Sequence, residues 1–255
     1  AVLPIMLRVL TALTVLLLSA CPSWAAITFT NLQTSSDNVD RTTYTTGSVT
    51  PTSGAVVYLG LHITKATTPN EPTDISGTGG FLDVVWTKEA TVTFATIASP
   101  GRRVSIYSGV PVSGAAGTIT VNFGSPTQTS LGWSIMQSSG AATLGYTVET
   151  NTGAGNTVQT LTVSLADIAA GNVLLGVIGR NDNSATNPCT GFTELGDTTW
   201  TGPNASIESN YLADDASCDW TWAGSTHVGG IIVEVAILPA PSGAVPLRAL
   251  MGVGL

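Results

Sequence analysis

Two histidines, His62 and His227, are the chain's entire supply of imidazole. A serine nucleophile needs such a base beside it, and both histidines lie inside apolar, strand-like runs, where an imidazole is more often packed than catalytic. The chain has no Gly-x-Ser-x-Gly elbow, no phosphate-cradling Gly-Lys loop and no His-Glu-x-x-His helix. Two facing carboxylates can hydrolyse a glycoside. Asp83 and Glu234 are one such candidate pair, but linear spacing does not identify facing groups. No residue is assigned a catalytic role.

Binding chemistry is better represented. Trp200, Tyr211, Trp220 and Trp222 crowd one quarter of the chain. Flat rings on a β-sandwich stack on sugar rings while neighbouring Asp and Asn side chains bind hydroxyls, so these four are the candidate ligand-binding residues. The competing reading is that Trp220 and Trp222, two apart on a strand, share one face and fill a core. Asn181-Asp-Asn183, Asp214-Asp215 and Asp219 offer hard oxygen ligands suited to Ca²⁺. They lack the spacing of a calcium loop, and Asx-turn chemistry explains them equally well. No other cofactor is implied.

The cysteines number three: Cys21, Cys189 and Cys218. Cys21 falls in a removable leader, which leaves an even pair. In an oxidising compartment Cys189 and Cys218 are expected to form a disulfide. It would close a loop of about 29 residues, a constraint of roughly 3–4 kcal/mol on the unfolded chain. Zinc ligation would need Cys or His neighbours that are absent here.

Of the 255 residues only 9% are charged, and the formal net charge is −8. Eight basic residues in all cannot neutralise many phosphates, so nucleic acid is excluded as a partner. Hydrophobic residues at 43% exclude a solvated disordered chain. Abundant Thr, Ser and Gly with few helix formers indicate an all-β fold.

The elements that must position these residues are short strands. Alternation of apolar and polar residues predicts them at 26–33, 43–50, 54–64, 81–87, 90–97, 102–110, 117–124, 130–138, 143–150, 157–165, 172–179, 204–212, 218–223 and 228–238. Gly-, Pro- and Ser-rich breaks such as Thr50-Pro-Thr-Ser-Gly54 and Ser76-Gly-Thr-Gly-Gly80 separate them. The continuously apolar runs Gly54–Leu61 and Asn172–Ile178 should be central strands. Asp167-Ile-Ala-Ala170 could add one helical turn. So many strands and turns point to packed antiparallel sheets, an antiparallel β-sandwich over residues 26–238. No linker forces a second domain and no clean repeat is visible.

Residues 1–25 read as a secretory signal: Arg8, an apolar run from Val9 to Ala20, then small residues up to Ala25. Leu18-Ser-Ala-Cys21 also resembles a bacterial lipobox, which would lipidate Cys21. The soluble cut before Ala26 is preferred because strand-like Ile27-Thr-Phe-Thr follows at once. Secretion or display at the cell surface is therefore expected, with membrane contact only through the leader, a lipid or the tail.

The order of pieces resembles a loosely defined group of secreted bacterial and phage-associated jelly-roll-like domains. The resemblance covers about residues 50–238. It rests on the apolar strand at 54–63, Gly77-Thr-Gly-Gly80 with a Trp-bearing strand after it, Arg103-Val-Ser-Ile-Tyr107, Gly117-Thr-Ile-Thr-Val121, Gly132-Trp-Ser-Ile-Met136, Gly191-Phe-Thr-Glu-Leu195 and Gly229-Gly-Ile-Ile-Val-Glu234. It implies a jelly-roll-like β-sandwich exposed outside the cell and carries over no catalytic residue. The Pro/Gly-rich tail 239–255 is similar to the start of a bacterial C-terminal sorting signal, although Arg248 interrupts its apolar part and no basic cluster follows.

Three functional classes stay open. The first is a non-enzymatic binding or adhesion module for glycans or a cell surface. The second is a structural surface, fibre or coat component that self-associates through strand edges. The third is an extracellular hydrolase, which requires a pocket with paired carboxylates or a His beside Ser or Asp.

Overall fold

The computed structural model describes residues 27–95, 101–139, 142–143, 148–152, 158–165, 168, 171–213 and 217–237. The leader 1–25 with Cys21, the turn at 167, Asp214-Asp215 and the tail 239–255 lie outside these residues. Residues 26–238 belong to one compact unit.

In chain order the strands are β1 (Phe29–Asp37), β2 (Thr43–Thr45), β3 (Val57–Lys65), β4 (Asp74–Gly77), β5 (Thr87–Phe94), β6 (Gly101–Gly109), β7 (Ile119–Asn122) and β8 (Ser130–Ser138). There follow β9 (Ala142–Thr143), β10 (Val148–Thr152), β11 (Val158–Ser164), β12 (Val173–Arg180), β13 (Thr193–Trp200), β14 (Ala205–Ala213), β15 (Ser217–Thr226) and β16 (Val228–Ile237). One 3-10 turn, Gly79–Phe81, is the helical element among the described residues. Every ladder is antiparallel.

The strands form a β-sandwich-like stack. A five-stranded sheet in the order β1-β8-β3-β6-β5 faces a six-stranded sheet in the order β10-β16-β12-β14-β13, with β9 paired to β16. Their shared core contains Phe29, Tyr58, Phe94, Ile106 and Met136 from one side and Leu175, Val177, Trp200, Ile207 and Val233 from the other. The first sheet's outer face packs on the small sheet β2-β7-β4 through Leu59, Leu61, Tyr44 and Val121. The second sheet's outer face packs on the ribbon β11-β15 through Leu174, Ile178, Leu161 and Trp220.

This stacking explains the continuous apolar runs. A strand covered on both faces needs no polar side, and Val57 to Thr64 and all of β12 are buried. β11 has one wet face, so it alternates: Leu161 and Val163 point in, Thr160, Thr162 and Ser164 point out. Gly132 lets the two long sheets approach. A Cβ there would stand 2.4 Å from the Trp200 ring.

The two halves of the unit follow one plan. β1-β8-β3-β6-β5 and β10-β16-β12-β14-β13 list strands in the same sequence relation, and β2-β7 corresponds to β11-β15. The position of β4 is taken in the second half by Asn187, which makes a single bridge to Thr221 of β15. Beside it, Cys189 and Cys218 lie at disulfide distance, with Cα atoms 5.3 Å apart. A crosslink thus stands where the first half has a ladder. The sequence suggested no repeat; the repeat lies in strand order.

Most strand bounds shift by a few residues from expectation, 43–50 shortens to Thr43–Thr45, and the strand set itself differs. β4 and β13 were not foreseen, and the run 81–87 is a 3-10 turn followed by irregular chain, with β5 starting at Thr87. Three of the four outer strands of the long sheets carry an irregularity, at Asn31/Gln33 in β1, Lys88/Ala90 in β5 and Glu194/Gly196 in β13. Such bulges blunt an edge against further pairing.

Candidate functional site

A groove opens on the outer side of the first half, between β4 and β5. The chain entering β4 (Pro72, Thr73, Asp74, Ile75) forms one wall, Val84, Val85, Trp86 and Lys88 the other, and Tyr107 of β6 lies between; its volume is about 390 Å³. Local chemistry holds the walls. Trp86 is stacked on the buried Phe81 ring at 6.4 Å. Glu71 accepts from Lys88 Nζ at 2.5 Å and from Arg103 at 2.7 Å, which ties the β4 entry to β5 and β6. Thr73 donates its hydroxyl to the Asn122 carbonyl at 3.1 Å. Val85 is 83% exposed, and Leu82, Val110 and Val112 are exposed too. Burial pushes the Tyr107 hydroxyl pKa up, with the Glu71 charge adding to it, so that residue enters as a neutral ring.

The four aromatics singled out in the sequence are elsewhere. Trp200 is buried between the long sheets and donates Nε1–H to Ser130 Oγ at 2.9 Å. Trp220 is fully buried under the second half, against Gly176 and Gly230. Trp222 is 5% exposed, donates to the Val158 carbonyl at 3.0 Å and lies 5.1 Å from the Arg180 guanidinium carbon. Tyr211 is half-buried against Phe29, ring centroids 5.2 Å apart. The three tryptophans therefore have no free face for a sugar. Their spacing reads as core packing, because β15 sends alternate residues inward.

Among the described residues the oxygen-rich segments are not gathered either. Asn181 Oδ1 accepts from Arg102 at 2.5 Å, Asp182 accepts from Arg180 and from the Ser184 N–H, and Asp219 accepts from Thr162. Each is bound to its own neighbour, and among the described residues no group of three His, Cys, Asp or Glu could hold a metal. Asp83 and Glu234 are not brought together. Asp83 is exposed in the first half with φ 59°, while Glu234 accepts from Asn172 Nδ2 in the second.

His62 is fully buried between the sheets, flanked by Phe94 and Trp200 at 5.5 and 5.4 Å. Desolvation, reinforced by the Arg102 charge, pushes its pKa down to about 3. Its Nδ1–H donates to the Ser206 carbonyl at 2.8 Å, which makes it a neutral packing imidazole. His227 is half-buried at the β15–β16 turn.

A second polar cluster was missed in the sequence. Asp197 of β13 and Glu208 of β14 are cross-strand partners. Glu208 is fully buried, and burial, then the charges of Asp197 and Glu194, push its pKa up to about 8. Burial likewise raises Asp197 to about 6. Arg180 opposes both shifts, but its guanidinium is turned to Asp182 and to the carbonyls of Ser184 and Ala185. The Thr186 backbone N–H bonds the half-buried Asp197, while Glu208 is fully buried. Glu208 escaped notice because a polar residue in Ser206-Ile-Glu-Ser209 reads as a solvent face.

Trp86 and Tyr107 were also missed as site residues. The one available signal was Leu82-Asp-Val-Val-Trp86, an apolar run between a Gly-rich break and a strand, whose exposure depends on what packs beside it. Comparison with known proteins returns no matching family model, no matching curated protein and no matching solved structure.

Proposed function

We propose that this chain is an exported, non-enzymatic β-sandwich module of two jelly-roll halves that binds or adheres to a cell-surface ligand, a glycan or a protein. The leader-like residues 1–25 and the cysteine pair support export. In the first half the first, eighth, third and sixth strands share a sheet while the second and seventh pair across from it, and β10, β16, β12 and β14 with β11-β15 repeat that order in the second half, which supports the jelly-roll reading. The observation carrying the binding reading is the groove: a concave surface with an aromatic wall, an exposed Val85, the exposed Asp74 and a Lys88–Glu71 pair at its rim. Bulges in β1, β5 and β13 blunt those edges of the long sheets against growth into a fibre or coat. A fully buried, neutral His62 and a fully buried Glu208 speak against hydrolysis.

The test is binding of the labelled full chain to intact bacterial and animal cells and to a glycan array, beside Val85→Asp and Trp86→Ala. The reading expects binding by the parent chain that both variants lose while keeping the parent circular dichroism. Undiminished binding by folded variants, or no binding to any surface, would overturn it.

A further inference from the structure

We propose that the groove receives an extended peptide segment of a partner protein, which adds to β4 as a fourth strand of the outer sheet β2-β7-β4. This rests on reading the groove as the recognition site. β4 ends its sheet, and its ladder with β7 has no register shift. The next strand, β5, turns away to pair with β6, so the groove lies beside the edge that no described strand occupies.

The second half shows what a closed version looks like. There the corresponding connection sits directly on the sheet: Asn187 donates to the Thr221 carbonyl, and the backbone of the adjacent Thr186 bonds the Asp197 carboxylate of β13. The first half keeps β4 away from β5 and leaves a gap. The groove runs along Pro72–Ile75, the chain entering β4 and its first two residues; four extended residues are about 13 Å long, and neighbouring strands stand about 4.8 Å apart. A groove of about 390 Å³ over that footprint is roughly one strand deep.

The lining favours polypeptide over saccharide. Hydroxyl recognition needs polar side chains free to aim at the ligand. Lys88 is held by Glu71 and Thr73 by Asn122, which leaves one exposed carboxylate, Asp74, in the lining, fewer polar groups than a ring of sugar hydroxyls needs. The edge of β4 offers backbone hydrogen bonds, and Trp86, Tyr107, Val84 and Ile75 offer apolar walls. Strand addition uses this pair of features: main-chain pairing for affinity, and pockets for alternate side chains for selectivity. With Lys88 and Arg103 balanced by Glu71 and Asp74, the fitting segment is uncharged with apolar residues at alternate positions.

A phage-displayed random octapeptide library panned on the full chain tests this, followed by synthesis of the enriched peptides. The expected peptides alternate apolar residues, slow hydrogen exchange at Asp74–Gly77, lose binding when alternate backbone nitrogens are methylated, and bind Val85→Asp at least about tenfold more weakly. Val85 is exposed, so that variant should fold; unchanged melting is the control. Failure to enrich any peptide, binding that tolerates N-methylation, or protection at another strand edge would overturn the proposal. Groove-dependent glycan binding without peptide binding also overturns it, while leaving surface recognition intact; surface binding indifferent to the groove overturns that reading instead.

Discussion

Trp220 shows how one spacing can support opposite readings. Two tryptophans separated by one residue share a face, and only the layer beneath decides whether that face is wet. Here it is dry, because the backbones at Gly176 and Gly230 leave room for the ring: a Cβ would stand 2.8 Å from it at Gly176 and 2.9 Å at Gly230. Trp220→Ala should therefore destabilise the protein by about 3–5 kcal/mol, measured as a fall in the denaturation midpoint. A surface stacking residue would lose ligand and leave stability nearly unchanged, so a cost under ~1 kcal/mol would contradict the burial. Glu208 makes the complementary prediction. Its carboxyl, raised to about 8 by burial and by Asp197 and Glu194, binds a proton more tightly in the folded than in the unfolded chain. Its contribution is present below the unfolded carboxylate range and is lost as pH climbs towards 8. Unfolding free energy should fall by about 2–4 kcal/mol between pH 5 and pH 8, and Glu208→Gln should flatten that slope. Parallel pH profiles for the two proteins would rule out this assignment.

At the scale of elements, legibility followed burial. β8 was readable to the residue at 130–138, and β3 and β12 were recognised as central because strands covered on both faces are apolar throughout. β13, Thr193-Glu-Leu-Gly-Asp-Thr-Thr-Trp200, was not readable. It is an outer strand with a bulge, so its alternation breaks at Glu194/Gly196. β4 is only four residues long and contains no sustained pattern. The cysteine pair was legible from arithmetic, but its role was not: it ties the connection that replaces β4 to β15. Changing both cysteines to alanine should cost about 2–5 kcal/mol. Hydrogen exchange should accelerate first around Thr186–Phe192, where one bridge and two side-chain contacts would remain as anchors. Uniform acceleration across both halves would mean that the crosslink braces the whole unit rather than this connection.

For the whole molecule, the matched strand orders raise the question of why no repeat appears in the sequence. Val57-Tyr-Leu-Gly60 and Val173-Leu-Leu-Gly176 spell alike, yet they are not equivalent. A Cβ at Gly60 would meet Val177 across the shared core, whereas one at Gly176 would meet Trp220 on the outer side. Aligning the spelling therefore reverses the faces, since a slip of one residue turns every side chain over. The halves share strand order but not sequence, and each is packed against its own outer layer. The shared core makes the halves interdependent. Trp200 of the second half is seated on Gly132 of the first and bonded to Ser130, and Val177 packs against the backbone at Gly60. Neither long sheet could expose this face alone without presenting a large apolar surface to water. Gly132→Leu should push the sheets apart where even a Cβ would stand 2.4 Å from the Trp200 ring, lowering the stability of both halves in one transition by about 1–3 kcal/mol or more. Far-ultraviolet dichroism and tryptophan fluorescence should then report the same midpoint. Two separated transitions, with the substitution shifting one alone, would show that each half folds by itself and that the face between them is a docking surface rather than a core.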